Sequence, residues 1–170
     1  MIIYVCGLLD LASHIRAVNP SHLVSLVTDE EQPATPAGML VERHLRVVIH
    51  DINEPLDGHI LADAQHIAGL ISFVRTWPDT QAPMLIHCMA GISRSMAAAL
   101  IALVTKAGGR ELEAAERLRR AAPHAFPNRR MIALADELLR CEGRLIAARE
   151  AMGPPRLTLS GPLVELPLLR

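Results

Sequence analysis

The stretch MLIHCMAGISRS, Met84 to Ser95, decides how this chain is read. Its first residues are a short apolar run opened by Pro83, the pattern of a strand buried on both faces. Its last residues lead into SMAAALIALVTK, Ser95 to Lys106, which is apolar nearly all round and is stopped by Gly108 and Gly109. Such a segment is a helix set inside the core. A buried strand that turns through a tight loop into a buried helix is a building unit of α/β domains.

The same alternation extends in both directions. IIYV (2–5) and HLVSLV (22–27) read as the first two strands, with a helix over Leu9 to Val18 between them, and RHLRVVIH (43–50) reads as a strand ending near His50. TDEEQPATPAG is a polar, proline-containing loop and EPLDGH is turn chemistry. Leu61 to Trp77 carries apolar residues at helical spacing through Ile67, Leu70, Ile71 and Val74. Glu111 to Ala122 and Asn128 to Arg149 read as two further amphipathic helices, broken by PHAFPN. The expected fold is α/β, with a mainly parallel central sheet of about four to five strands flanked by helices. Residues 1–150 form a single domain on this reading. Residues 151–170, rich in proline with alternating apolar positions, form either an arm or an edge strand.

Bulk properties narrow the function classes. A chain of 170 residues suits one domain, and a domain near this size buries roughly 70% of its unfolded surface. Aromatic residues make up only 2%, so the core is aliphatic and platforms for stacking nucleic acid bases are scarce. A net charge of −1 creates no global field toward nucleic acid or an anionic membrane. Neither is an expected partner, and any anion site must be local. Cys6, Cys88 and Cys141 are an odd set at unrelated spacings, without the paired Cys-x-x-Cys of a zinc or redox motif. A reduced, cytoplasmic protein is expected, since MIIYVCGLLDLASH has no basic flank and no apolar run approaches the roughly 20 residues of a membrane span. The oligomeric state is not legible.

The chemistry gathers at residues 87–95. A loop feeding a helix amino terminus turns successive backbone N–H groups of Met89, Ala90, Gly91, Ile92 and Ser93 toward one point, which makes an anion cradle. Gly91 supplies a backbone conformation that a Cβ would resist. Arg94, five residues beyond Cys88 in the intervening count, can return over the loop and grip two phosphate oxygens with its fork of donors. A thiol beside a helix amino terminus and an arginine has its thiolate favoured, so Cys88 is a nucleophile facing a bound phosphate. Ser95 can donate a hydrogen bond to the sulfur and help it leave. His87 shapes the loop by hydrogen bonding. Cys6 and Cys141 read as core cysteines, although Cys6, at the end of the first strand, leaves a redox pairing with Cys88 open.

His87-Cys88-Met89-Ala90-Gly91-Ile92-Ser93-Arg94-Ser95 resembles the signature His-Cys-x-x-Gly-x-x-Arg-Ser of the cysteine-dependent protein tyrosine phosphatases, in particular their compact dual-specificity-like members. The resemblance extends more loosely from RVVIHD to PNRRMIALADELL, about half of the chain. It implies a phosphotyrosine phosphatase-like fold. It also implies metal-free, cofactor-free, two-step hydrolysis of a phosphomonoester through a phosphocysteine, on a phosphorylated protein or a small phosphate.

That chemistry needs an acid for the leaving oxygen, and Asp51, Glu54, Asp57, Asp63 and Asp79 precede Cys88. Asp79 sits in TWPDT, whose Trp-Pro-Asp matches the acid loop of one branch of the family. In an open parallel sheet, however, the site lies beyond the carboxyl ends of the strands. Asp79 precedes the strand that delivers Cys88, and a strand of that length spans roughly 16 Å. Asp51 follows RHLRVVIH and emerges at the correct edge, so it is the expected general acid, with Asp57 in LDGH as the backup. The resemblance agrees, since compact phosphatases carry their acid just after this strand. The other reading of Asp51 is a turn or helix cap.

Asn128 in FPNRR resembles an asparagine that packs near the active site of compact phosphatases, and equally reads as a helix amino cap. Arg129 and Arg130 either flank the pocket or belong to a solvated helix face. A rhodanese-type sulfurtransferase has a shorter loop between cysteine and arginine than the five residues here. A catalytically weak phosphate-binding module would lack the nucleophile or the acid. An inositol or lipid phosphatase would place lysine in the loop, where Met89, Ala90, Ile92 and Ser93 stand. A protein phosphomonoester is therefore the first substrate class and a small phosphate the second.

Overall fold

The computed structural model describes residues 1–78 and 82–169. In chain order its elements are β1 (Ile2–Gly7), α1 (Leu11–Val18), β2 (His22–Val27), β3 (His44–Val48), α2 (Ala64–Thr76) and β4 (Met84–Cys88). After these come α3 (Arg94–Ala107), α4 (Glu111–Ala121), α5 (Arg129–Leu138), α6 (Arg144–Ala151) and β5 (Val164–Pro167). The sheet runs β3-β2-β4-β1-β5. Strands β1 to β4 are parallel and β5 lies antiparallel on β1.

Side-chain alternation divides the sheet into two faces. Ile3, Val5, Val24, Leu26, Met84, Ile86 and Cys88 share the large core with α2, α3, α4 and α5. Cys6, Leu23 and Leu85 belong to a smaller cluster roofed by Leu11 and Ile15 of α1. Helix α3 sits in the middle of the large core, with every residue from Arg94 to Val104 buried. Its all-apolar character arises from that position. All four parallel strands end at one edge of the sheet, and β4 presents Cys88 there.

Helix α2 begins later than its apolar spacing suggests because Asp63 stops it: its carboxylate accepts from His66 N–H at 3.0 Å as an amino cap. At the other end Trp77 is fully buried and its indole N–H donates to the carbonyl of Ala82 at 3.2 Å. Asp79 itself lies outside the described residues. Strand β4 is entered at Met84, the end opposite Cys88.

One expectation fails. The apolar pattern over Asn128 to Arg149 is not one helix but two, α5 and α6, joined by a corner in which Arg140, Glu142 and Gly143 all have positive φ. The buried carboxylate of Asp136 causes the break. It accepts from the N–H groups of Gly143 (2.8 Å), Leu145 (2.9 Å) and Ile146 (3.3 Å), capping α6 from within α5. The apolar rhythm survives the corner because Leu145 and Ala148 still face the core.

The last residues close the sheet's open edge. Val164–Pro167 pair with β1, and the preceding segment crosses the end of the molecule that carries the cysteine loop, where Gly161 N–H donates to Ala90 O at 2.8 Å.

Candidate active site

The loop between β4 and α3 is held from outside. Leu8 N–H donates to Met89 O (3.0 Å), Gly161 N–H to Ala90 O (2.8 Å), and Phe126 N–H to Ile92 O (2.9 Å). Gly91 O faces the imidazole of His124, and Ser93 O takes Ala97 N–H (2.9 Å) and Asn128 N–H (3.4 Å). With the carbonyls of Met89, Ala90, Ile92 and Ser93 engaged outward, the loop turns its amides inward. Those of Ala90, Gly91, Ile92 and Ser93 donate to no protein acceptor among the described residues. Convergent free N–H groups at the start of a helix are the arrangement that receives a phosphate dianion.

Gly91 makes the turn possible. Its φ is +71°, and a Cβ there would lie 2.9 Å from the backbone of both Cys6 and Gly7. The loop therefore rests directly on the end of β1.

Arg94 is buried, and its Nη1 donates to the carbonyl of Ile49 at 2.8 Å, just beyond β3. Its Nε is buried without a protein partner. One arm of the guanidinium is thus fixed by the neighbouring strand end, leaving donors for a planar pair of oxygens. Cys88 Sγ lies 3.1 Å from Ser95 Oγ, and both are buried.

Asp51 joins this group from the end of β3. Its Oδ1 accepts from Ser93 Oγ at 2.7 Å and from Asn128 Nδ2 at 2.9 Å. The loop that carries Asp51 is closed at its base, where His50 N–H donates to Ile60 O (2.9 Å) and Ile60 N–H donates to His50 Nδ1 (2.9 Å). Asn128 serves both of its sequence readings at once, since its Oδ1 also accepts from Met131 N–H (3.0 Å) to cap α5. The remaining carboxylates stand elsewhere. Asp63 caps α2, its carboxyl held below the usual range first by the His66 N–H bond, and Asp57 is an exposed residue of the turn at Gly58. Arg130 is engaged by Asn53 and by the carbonyl of Ala62, while Arg129 is exposed.

Behind the cysteine, His87 Nε2 lies 2.7 Å from Ser25 Oγ, which lies 2.8 Å from His44 Nε2. His44 Nδ1 meets Thr35 Oγ1 at 3.0 Å, and Arg46 donates to that hydroxyl at 3.2 Å. Burial is the chief cause that lowers both His87 and His44 to about 4, so at neutral pH they are uncharged links of a chain and not acids or bases. The sequence signal for this chain was present in the isolated polar residues Ser25 and His44 within apolar strands. The holding roles of Leu8, His124 and Gly161 had no comparable local signal.

Cys6 and Cys141 are free, buried thiols pushed up to about 12, mainly by burial. Cys6 pairs in register with His87, not Cys88, and points to the α1 face of the sheet while Cys88 points to the α3 face. Alternation across adjacent strands thus keeps the two sulfurs apart.

The model of the protein-tyrosine phosphatase family matches residues 40–118, a span that contains Asp51, the cysteine loop and α3. No curated protein sequence matches the chain. Among solved structures, the chain resembles DUSP15 (18% identity, 88% of this chain and 89% of that one, TM-score 0.61). Human DUSP28 is similar at 16% identity, 82% and 89% coverage and a TM-score of 0.65. The PTP-2 phosphatase of Cydia pomonella is similar at 19% identity, 79% and 84% coverage and a TM-score of 0.60. At these identities the likeness is one of fold.

Proposed function

We propose that the chain is a cysteine-dependent protein tyrosine phosphatase, a reading supported by the family model over residues 40–118 and by the likeness of fold, and that it hydrolyses phosphomonoesters on protein side chains, with Cys88 as nucleophile and Asp51 as general acid. One observation carries this assignment of roles: a thiol, a buried arginine with an unpartnered Nε, four inward amides and a carboxylate converge at one edge of the sheet. The amides and Arg94 bind the three non-bridging oxygens and stabilise the charge that spreads over them in the transition state. The Cys88 thiolate attacks phosphorus as the bond to the leaving oxygen breaks, and Asp51 delivers its proton to that oxygen. In the second step the Asp51 carboxylate takes a proton from water, the new oxygen bonds to phosphorus, and the sulfur departs with the Ser95 hydroxyl donating to it.

The rim supports an aryl or alkyl phosphate borne on a polypeptide. Met89 and Phe126 are exposed apolar side chains attached to the loop, and no lysine stands in the loop to meet additional phosphates. The reaction requires a free thiol, and the three buried thiols are unpaired, which suits a reducing, cytoplasmic setting. No described helix is long and apolar enough to cross a membrane.

Phosphate release from phosphotyrosine, phosphoserine and phosphothreonine peptides, and from inositol phosphates, tests the reading. Wild-type protein should act on the peptides, and Cys88→Ser should lose at least about a thousandfold in rate while still binding phosphopeptide. Turnover retained by Cys88→Ser, or activity confined to inositol phosphates, contradicts it.

A further inference from the structure

The segment after α6 is tied to the catalytic end of the molecule at three successive points. Arg119 gathers its start, donating to Met152 O (3.0 Å) and Gly153 O (3.2 Å), and also to Pro123 O (2.6 Å). Arg156 N–H donates to Pro123 O at 2.8 Å. Gly161 N–H then donates to Ala90 O at 2.8 Å, inside the cysteine loop, and three residues later β5 pairs with β1. Between the second and third ties Leu157 and Leu159 bulge into solvent, 92% and 97% exposed.

The contact at Gly161 is close enough to exclude any side chain. A Cβ there would lie 2.5 Å from His124 Nε2 and 2.7 Å from Gly91 O. Gly161 and His124 therefore cover two consecutive carbonyls of the loop, those of Ala90 and Gly91. A peptide unit is planar, so the direction of each of these carbonyls fixes the direction of the next residue's N–H. The carbonyl of Ala90 shares its peptide plane with the Gly91 N–H, and that of Gly91 with the Ile92 N–H. Both of those amides belong to the inward set.

We propose that residues 156–163 are a strap that positions the phosphate loop, with Gly161 as its positioning residue: by holding the Ala90 carbonyl outward it keeps the Gly91 N–H aimed at the phosphate. The strap touches no substrate and acts through the loop. It rests on the reading of residues 88–94 as an oxyanion cradle and adds to it a dependence of catalysis on the carboxyl-terminal segment, which lies outside the span matched by the family model.

The energetic consequence is reciprocal. If the strap favours the loop conformation that binds an oxyanion, then an oxyanion bound in the loop must favour the strapped state by the same factor. Two measurements on the full chain test this. In the first, amide exchange of wild-type protein is recorded by NMR with and without vanadate. Gly161 N–H should exchange about tenfold more slowly when vanadate is bound, while the Leu166 amide in β5 changes little. In the second, Gly161→Ala should fold but melt several degrees below wild type, because the strap must lift from the loop to admit the Cβ, and it should bind vanadate about tenfold more weakly and lose about tenfold in kcat against an aryl phosphate. Leu159→Ala, in the exposed bulge, should match wild type in all three.

A folded Gly161→Ala with wild-type vanadate affinity and kcat overturns the strap. So does a Gly161 amide indifferent to vanadate in wild-type protein, and this measurement decides the matter if Gly161→Ala fails to fold. Wild-type protein that binds no vanadate at all overturns the oxyanion cradle, and the strap falls with it.

Discussion

Ser93 Oγ donates to Asp51 Oδ1 across 2.7 Å, so the cysteine loop and the loop after β3, which carries the proposed acid, are tied directly to each other. Asn128 places a second donor on the same oxygen at 2.9 Å. The two bonds fix the plane of the carboxyl group while Oδ2 takes no hydrogen bond among the described residues. A carboxyl group held by one oxygen presents the other to a leaving group, which is the geometry proton transfer needs.

Removing the acid should therefore have a large effect and removing its supports a smaller one. Asp51→Asn is expected to slow turnover of phenyl phosphate by about 10²- to 10⁴-fold. Esters whose leaving groups are stable anions should lose much less, because they depart without a proton. Ser93→Ala and Asn128→Ala should each cost about three- to tenfold in kcat with KM little changed. Asp79→Asn should leave turnover near the wild-type value, since β4 is entered at the end remote from Cys88. Steady-state kinetics across pH for the four variants checks the set, and a large loss in Asp79→Asn would contradict the sheet-edge argument.

Gly91 is the position where the loop tolerates no side chain. An alanine would need φ of +71° and would press its Cβ to 2.9 Å from the backbone of Cys6 and Gly7. Neither neighbour can swing aside as a flexible side chain could. Gly91→Ala should lower stability by about 2–4 kcal/mol. At temperatures where it remains folded it should also bind phosphate analogues weakly. Urea unfolding together with vanadate titration separates the two losses.

The chain from His87 through Ser25 to His44 gives stability a pH dependence of fixed sign. Both histidines are lowered from 6.5 to about 4, chiefly by burial. Between those values the unfolded chain binds more protons than the native one, so unfolding is favoured as pH falls. This contribution is complete above about pH 6.5 and disappears as pH drops toward 4. The urea midpoint should accordingly decrease between pH 7 and pH 4.5. A His44→Gln variant, which keeps a neutral hydrogen-bonding side chain, should show a shallower decrease. Equal slopes would remove His44 from the account.

The range of the interactions involved decides how much of this molecule is legible in its sequence. Strand β4, the cysteine loop and α3 are contiguous, and their apolar rhythm, glycine and arginine spell out the cradle without any tertiary information. Asp51 is legible one step further out, because the parallel sheet places all strand ends on one edge and Asp51 comes just after one of those ends. The bonds from Ser93 and Asn128 to Asp51 depend on side-chain directions in three separate segments. The clamps on the loop carbonyls are made by backbone groups of Leu8, Phe126 and Gly161, and a backbone N–H has no sequence signature. The corner between α5 and α6 was hidden for the opposite reason: the apolar period continues through it, and only the polar Asp136 interrupts the core face.

Asp136 makes the last prediction. Its buried carboxylate accepts three N–H groups at the start of α6, those of Gly143, Leu145 and Ile146, and Cys141 N–H bonds its carbonyl at 2.8 Å. Truncation to alanine leaves the three donors unsatisfied in a part-buried corner, where each lost partner is costly. Asp136→Ala should therefore destabilise the fold by about 2–4 kcal/mol, and Asp136→Asn, which retains an acceptor oxygen but loses the charge, by about half as much. The corner lies at the end of α5 opposite Asn128, and no described hydrogen bond joins it to the cysteine loop. kcat measured well below the unfolding transition should therefore stay within about twofold of wild type for both variants. Urea denaturation gives the stability order and initial rates give the second half of the prediction. A large fall in kcat without a fall in stability would mean that α6, and not only the amino end of α5, takes part in positioning the acid.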